Sequence, residues 1–135
     1  MKQWILALIL MVGGISPAFC NVTEKAPVQK VASVELKAWC DAGKSMTIVD
    51  ARGKQNFDAT LLPGAVWIAY DTPAAQIEAA LPAKEGVIVC YCCDHNCGAS
   101  THLAQELLTL GYSNVYVCSE GLQGWQEKGY PVTRQ

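Results

Sequence analysis

The stretch Val87-Ile88-Val89-Cys90-Tyr91-Cys92-Cys93-Asp94-His95-Asn96-Cys97-Gly98-Ala99-Ser100 decides the fold. Gly86 releases an apolar run, Val87 to Cys92, with the pattern of a strand buried on both faces. From Ser100 to Leu110 the spacing of Leu103, Leu107 and Leu110 predicts a helix, and Gly111 stops it. A buried strand that hands over to a helix through a short polar turn is half of a βαβ unit.

The flanking sequence repeats that alternation. Val28 to Val31 is a brief strand, Ser33 is the expected N-cap of a helix over Val34 to Asp41, and Met46 to Asp50 is a second buried strand. Phe57 to Gly64 is expected to be a loop and Ala65 to Tyr70 a strand. Thr72 before Pro73 is the expected N-cap and first position of a helix that runs through Ala80 and ends at Pro82. Beyond Gly111, Val115 to Cys118 is a last strand and Leu122 to Lys128 a last short helix. Together these segments predict an α/β layer fold with a central, mostly parallel sheet.

Length and charge narrow the function classes. A chain of 135 residues fits one domain. Ten Lys and Arg against twelve Asp and Glu give a formal charge of −2, which supplies no basic footprint for a nucleic acid. An apolar fraction of 51% with 16% charge excludes a disordered chain. Seven cysteines are the compositional anomaly, open to disulfide, metal or thiol chemistry.

The N-terminus bears on the compartment. Lys2 precedes an unbroken apolar run from Trp4 to Val12, broken by Gly13, Gly14 and Pro17. Residues 1–20 therefore read as a secretory signal, too short for the roughly 20 apolar residues of a spanning helix. Cleavage after Ala18 or after Cys20 fits the small residues present, and Phe19 argues against a lipid-modified Cys20. An uncleaved anchor helix is the alternative. The expectation is an exported, periplasmic protein: a leader over 21–30, a domain over 31–132, and no stable membrane insertion once the signal is gone.

Chemistry is expected where the central strand meets the helix. Open α/β sheets bind ligands beyond the carboxyl ends of their strands, and backbone N–H groups at a helix N-terminus favour anions. Cys92 stands at that position, and a thiol there is expected to have a depressed pKa. The amides of Cys93, Asp94, His95, Asn96, Gly98 and Ala99 are expected to cradle the anion, with Arg52 at the pocket rim. This is what a nucleophile that accepts sulfur or a phosphoryl group requires.

Several landmarks follow in order: Ile48-Val49-Asp50-Ala51-Arg52, Leu62-Pro63-Gly64-Ala65, Tyr91-Cys92, Gly111-Tyr112, Asn114-Val115-Tyr116, Gly121 with Trp125, and Gly129-Tyr130-Pro131-Val132. In that order the chain resembles the rhodanese-like domain over about Val31 to Val132. The resemblance implies a three-layer fold with helices on both faces of the sheet. It also implies that Cys92 takes the outer sulfur of a small-molecule donor as a persulfide and passes it to a thiol or other nucleophilic acceptor, with no cofactor. The departures are informative too. The loop from Cys92 to Ser100 is about two residues longer than in common single-domain sulfurtransferases of the family, and it holds no Arg or Lys. Thiosulfate as donor is therefore in doubt, and the phosphatases related to the family, which need a loop Arg, are set aside. Thr60-Leu61 replaces the family's usual His, and Glu120-Gly121 its usual paired Gly.

Cys97 divides the remaining readings. As a resolving thiol it attacks an oxidised Cys92 and makes the loop a redox element served by a redox partner protein. A static Cys92–Cys97 disulfide is the structural alternative. Cys92, Cys93, His95 and Cys97 are also soft-metal ligands, although no second ligand pair accompanies them. Cys40, Cys90, Cys118, Trp67 and Trp125 are expected in the core, with a Cys90–Cys118 disulfide conceivable if their strands are neighbours, and His102 on the surface.

Overall fold

The computed structural model describes residues 27–135, so the expected signal segment lies outside the described residues. The elements run β1 (Gln29–Lys30), α1 (Ser33–Asp41), β2 (Thr47–Asp50), β3 (Thr60–Leu61), β4 (Val66–Trp67), α2 (Ala74–Ala80), β5 (Val87–Tyr91), α3 (Ala99–Thr109), β6 (Asn114–Cys118), α4 (Gly121–Glu127) and β7 (Thr133–Arg134). Five strands form one sheet in the order β1-β6-β5-β2-β4, with every pair parallel. β5 is central, as its uninterrupted apolar run requires.

Alternation along β5 makes two cores. Ile88 and Cys90 enter one cluster with Ile77 of α2 and Leu103, Ala104 and Leu107 of α3. Val89 and Tyr91 enter the other with Leu36 of α1 and Leu122 and Trp125 of α4. The sheet is thus covered on both faces, and the three-layer α/β expectation holds.

Several boundaries differ from the sequence reading, each for a tertiary reason. Ser33 is not the N-cap of α1 but its first helical residue, fully buried; Ala32 holds the cap position. The Ser33 N–H, which a local cap would leave open, donates to Glu120 Oε1 at 2.9 Å. Pro73, not Thr72, caps α2. The expected loop over Phe57 to Gly64 contains β3, which pairs antiparallel with β7 at the far end of the chain. Two-residue strands carry no periodic signal, and this pairing joins segments far apart in sequence. β1 and β7 lie just outside the 31–132 segment.

The edge strand β4 is shorter than Ala65 to Tyr70, yet its hydrogen bonding continues. Ile68 N–H donates to Asp50 O at 3.0 Å and Tyr70 N–H to Ala51 O at 3.1 Å. Trp67 is a correction, because it is exposed rather than core. Its ring stacks on Phe57 at 4.3 Å, and its Nε1–H donates to Arg52 O at 2.7 Å, so it covers a polar cluster from the edge.

Candidate active site

The carboxyl edge of the sheet is built on a buried ion pair. Asp50 closes β2 with no exposure, and Arg52 is 4% exposed. Arg52 Nε donates to Asp50 Oδ2 at 3.0 Å and Nη2 donates to the same oxygen at 2.8 Å. Nε also reaches Asp50 Oδ1 at 3.1 Å, and the other guanidinium bonds go to Asp58 Oδ1 at 3.1 Å, Asn56 O at 3.3 Å and Thr60 O at 2.6 Å. Burial opposes the charge, but these carboxylates outweigh it and raise the Arg52 pKa. Every donor face of Arg52, the residue expected at the pocket rim, is committed to these acceptors, and the side chain organises the 52–60 loop.

The thiol loop begins one residue past β5. Cys92 is buried at 1% exposure, Cys93, Asp94, Cys97 and Ala99 are half-buried, and His95, Asn96 and Gly98 are exposed. The Cys92 thiol donates to Cys97 O at 3.1 Å and lies 3.4 Å from Ser100 Oγ. Asp94 folds the turn, because its Oδ1 accepts from Asn96 N–H at 2.8 Å and its carbonyl accepts from Cys97 N–H at 3.2 Å. Those two amides are spent on the turn and not on a sulfur.

The electrostatics reverse the expected assignment. Burial first, and then donation of its proton toward Cys97, push the Cys92 pKa up to about 11, with only Ser100 acting in the opposite sense. The expectation of a depressed Cys92 pKa is therefore corrected. Burial also works against a thiolate at Cys97, but hydrogen bonds from the Cys92 thiol, the backbone N–H groups of Cys93 and Ala99, and the Cys93 thiol outweigh it and lower the Cys97 pKa. Of the two thiols, that of Cys97 therefore ionises more readily.

Two cavities flank the loop. One, about 380 Å³, is lined by Gly53, Asn56, Tyr70, Cys97, Gly98, Ala99 and His102. The other, about 340 Å³, is lined by Asp94, His95 and Asn96 together with Glu120 and Lys128. His95 therefore borders the second cavity. The contribution of Tyr70 and His102, whose rings meet edge to face at 5.6 Å, was not legible in the sequence, since they come from separate elements.

The remaining cysteines are free among the described residues, and Cys90 and Cys118 are buried. Their strands are neighbours, but the register pairs Cys90 with Val117 and Tyr91 with Cys118. Cys90 and Cys118 enter opposite cores, so no disulfide joins them. Trp125 is core at 1% exposure, and His102 is exposed. Among the described residues, no group of three or more His, Cys, Asp or Glu side chains is arranged to hold a metal ion.

A parallel α/β sheet with a clustered thiol loop between its central strand and the next helix defines a cysteine-bearing domain of the α/β class. The family model of the rhodanese-like domain matches residues 33–128, and the chain belongs to that family. Solved structures agree on the fold. The BH2092 protein of Bacillus halodurans superposes with a TM-score of 0.71 at 22% identity, over 78% of this chain and 77% of that one. A thiosulfate sulfurtransferase of Pseudomonas aeruginosa gives 0.64 at 19% identity, over 79% of this chain but only 20% of its own. A Rhodopseudomonas palustris protein described as a possible tyrosine phosphatase gives 0.65 at 18% identity, over 78% and 85%.

Proposed function

We propose that the protein is an exported sulfurtransferase-like carrier that holds sulfane sulfur as a persulfide on Cys92 and passes it to a thiol acceptor, without a dissociable cofactor. The observation that carries this reading is the position of Cys92. It is the first residue past the central strand, its sulfur held by Ser100 at the start of α3, and two further thiols share its loop. Family membership supports the same chemistry.

The donor is a persulfide or polysulfide rather than thiosulfate. No Lys or Arg lines the cavity at Cys97, and Arg52 is fully engaged with Asp50 and Asp58, so nothing there neutralises a dianion. The same lack of a loop cation speaks against phosphate-ester chemistry, which must neutralise comparable charge. The periplasm is the proposed compartment, and a redox partner protein serves to return the thiols to the reduced state.

Intact mass tests the reading. The purified protein incubated with inorganic polysulfide gains one sulfur atom, which peptide mapping places on Cys92 at equilibrium, and a small thiol removes it. A protein that gains no sulfur, or that carries a Cys92–Cys97 disulfide resistant to ordinary reductants, overturns it. In the second outcome the loop is structural.

A further inference from the structure

The cavity at the sheet edge presents Cys97, and Cys92 is not among the residues that line it. Cys92 is 1% exposed, and its sulfur is closed off by the carbonyl of Cys97 at 3.1 Å and by Ser100 Oγ at 3.4 Å. A donor whose outer sulfur must approach a nucleophile in line therefore meets Cys97 first. Cys97 is half-buried and lines the cavity, and the loop groups around it hold its thiol below the ordinary value. The Cys92 thiol donates to the Cys97 carbonyl at 3.1 Å, so the two cysteines are in direct contact within the loop.

We propose that Cys97 is the entry thiol of a two-cysteine relay, which takes sulfane sulfur from a small persulfide or polysulfide in the Tyr70–His102 cavity and hands it inward to Cys92. This rests on the reading of Cys92 as the persulfide carrier and adds the route by which sulfur reaches it. In the first step the Cys97 thiolate attacks the outer sulfur of a donor persulfide R–S–SH. The bond from that sulfur to the inner sulfur breaks, the donor leaves as RS⁻, and Cys97 becomes Cys97–S–SH. In the second step the Cys92 sulfur attacks the same outer sulfur and Cys97 departs, so that Cys97–S–SH and Cys92–SH become Cys97–SH and Cys92–S–SH. The Cys92 proton passes to Cys97, no net oxidation occurs, and no further reactant is needed.

Position and ionisation explain why the sequence of steps runs in this direction. A nucleophile must be ionised at the point of encounter, and Cys97 is the thiol that both lines the cavity and has the lowered pKa. Cys92, buried and protonated, is a poor first nucleophile but a store shielded from bulk water. Tyr70 and His102 contribute an aromatic wall suited to a small organic persulfide.

Rapid-quench loading with cysteine persulfide, followed by alkylation and peptide mapping, tests the relay. In the wild type the sulfur appears on Cys97 before Cys92. Cys97→Ser loads Cys92 at least tenfold more slowly, and Cys92→Ser retains the sulfur on Cys97. Loading of Cys92 in Cys97→Ser at the wild-type rate overturns the relay while leaving Cys92 as carrier, as does a wild-type time course in which Cys97 is never labelled. If the wild type takes up no sulfur, the carrier reading itself falls and the relay with it. The time course needs no variant, so a misfolded substitution leaves the proposal testable.

Discussion

The backbone N–H of Leu122 donates to the carbonyl of Cys92 at 2.9 Å, which ties the first turn of α4 to the first residue of the thiol loop. The next amide repeats the contact, Gln123 N–H to Cys93 O at 2.9 Å. Two helix N-termini therefore meet at this loop: α3 continues from it, and α4 holds its backbone from the side. The orphan donors of α4 are satisfied by the loop, so the helix end and the loop geometry stabilise each other.

That contact requires Gly121. Its φ is +64°, and a Cβ there would lie 2.6 Å from Cys92 O and 2.7 Å from Cys93 C and O, all backbone atoms. Gly121→Ala is expected to cost about 2–4 kcal/mol through combined backbone strain and overpacking. Gly98→Ala, where a Cβ meets nothing within 4 Å, is the control and should change stability little. Urea unfolding of both variants checks the contrast.

Asp50 and Arg52 form a pair that breaks expensively. With Asp50 fully buried and Arg52 4% exposed, Asp50→Asn leaves a buried guanidinium with Asp58 as its remaining carboxylate. The expected loss is about 3 kcal/mol, at the lower end of the range for breaking a buried pair because Asp58 stays in place. Chemical denaturation gives the number, and a loss below 1 kcal/mol on the same scale would show that Asp58 compensates fully.

Cys92 and Cys97 should ionise on opposite sides of the ordinary thiol value of 9.0. A lowered pKa keeps a thiolate present at lower pH, so iodoacetamide labelling of Cys97 reaches half its maximal rate below pH 9.0, and that of Cys92 only near pH 11. Residue-resolved mass spectrometry across a pH series separates them. Ser100→Ala removes a contact that favours the Cys92 thiolate and shifts its profile further upward.

Glu120 makes stability sensitive to acid. Its hydrogen bond to Lys128, followed by that from Ser33 N–H, holds its carboxyl pKa below the usual carboxylate value. The depressed folded-state pKa means that the carboxylate's contribution is present above the unfolded value and is lost as pH falls through the folded one. Glu120→Gln should therefore lower stability at neutral pH and flatten its decline toward acid, as measured by unfolding midpoints from neutral to acidic buffer.

The same residue shows where sequence reading stops. Glu120 stands where the family's paired Gly is usual, and its bond to Ser33 caps α1 from 87 positions away. A search for local caps chooses Ser33 itself, because a Ser before an apolar run is the usual N-terminal signal. Similarly, Trp67 reads as core from its apolar strand, but β4 is the edge of the sheet, and only the strand order reveals that one of its faces is open.

The sequence by itself determined the alternation of strands and helices, the central place of Val87 to Tyr91, and the clustering of three thiols in one turn, because periodicity, apolar runs and residue spacing are local properties of the chain. Only the tertiary structure decided which sulfur stands at the cavity and which lies behind it. Spacing places Cys92 and Cys97 in one loop, but ionisation depends on which amides and thiols point at each sulfur. That follows from the Asp94 turn and from the way α4 grips the loop backbone, contacts between segments that no reading along the chain displays.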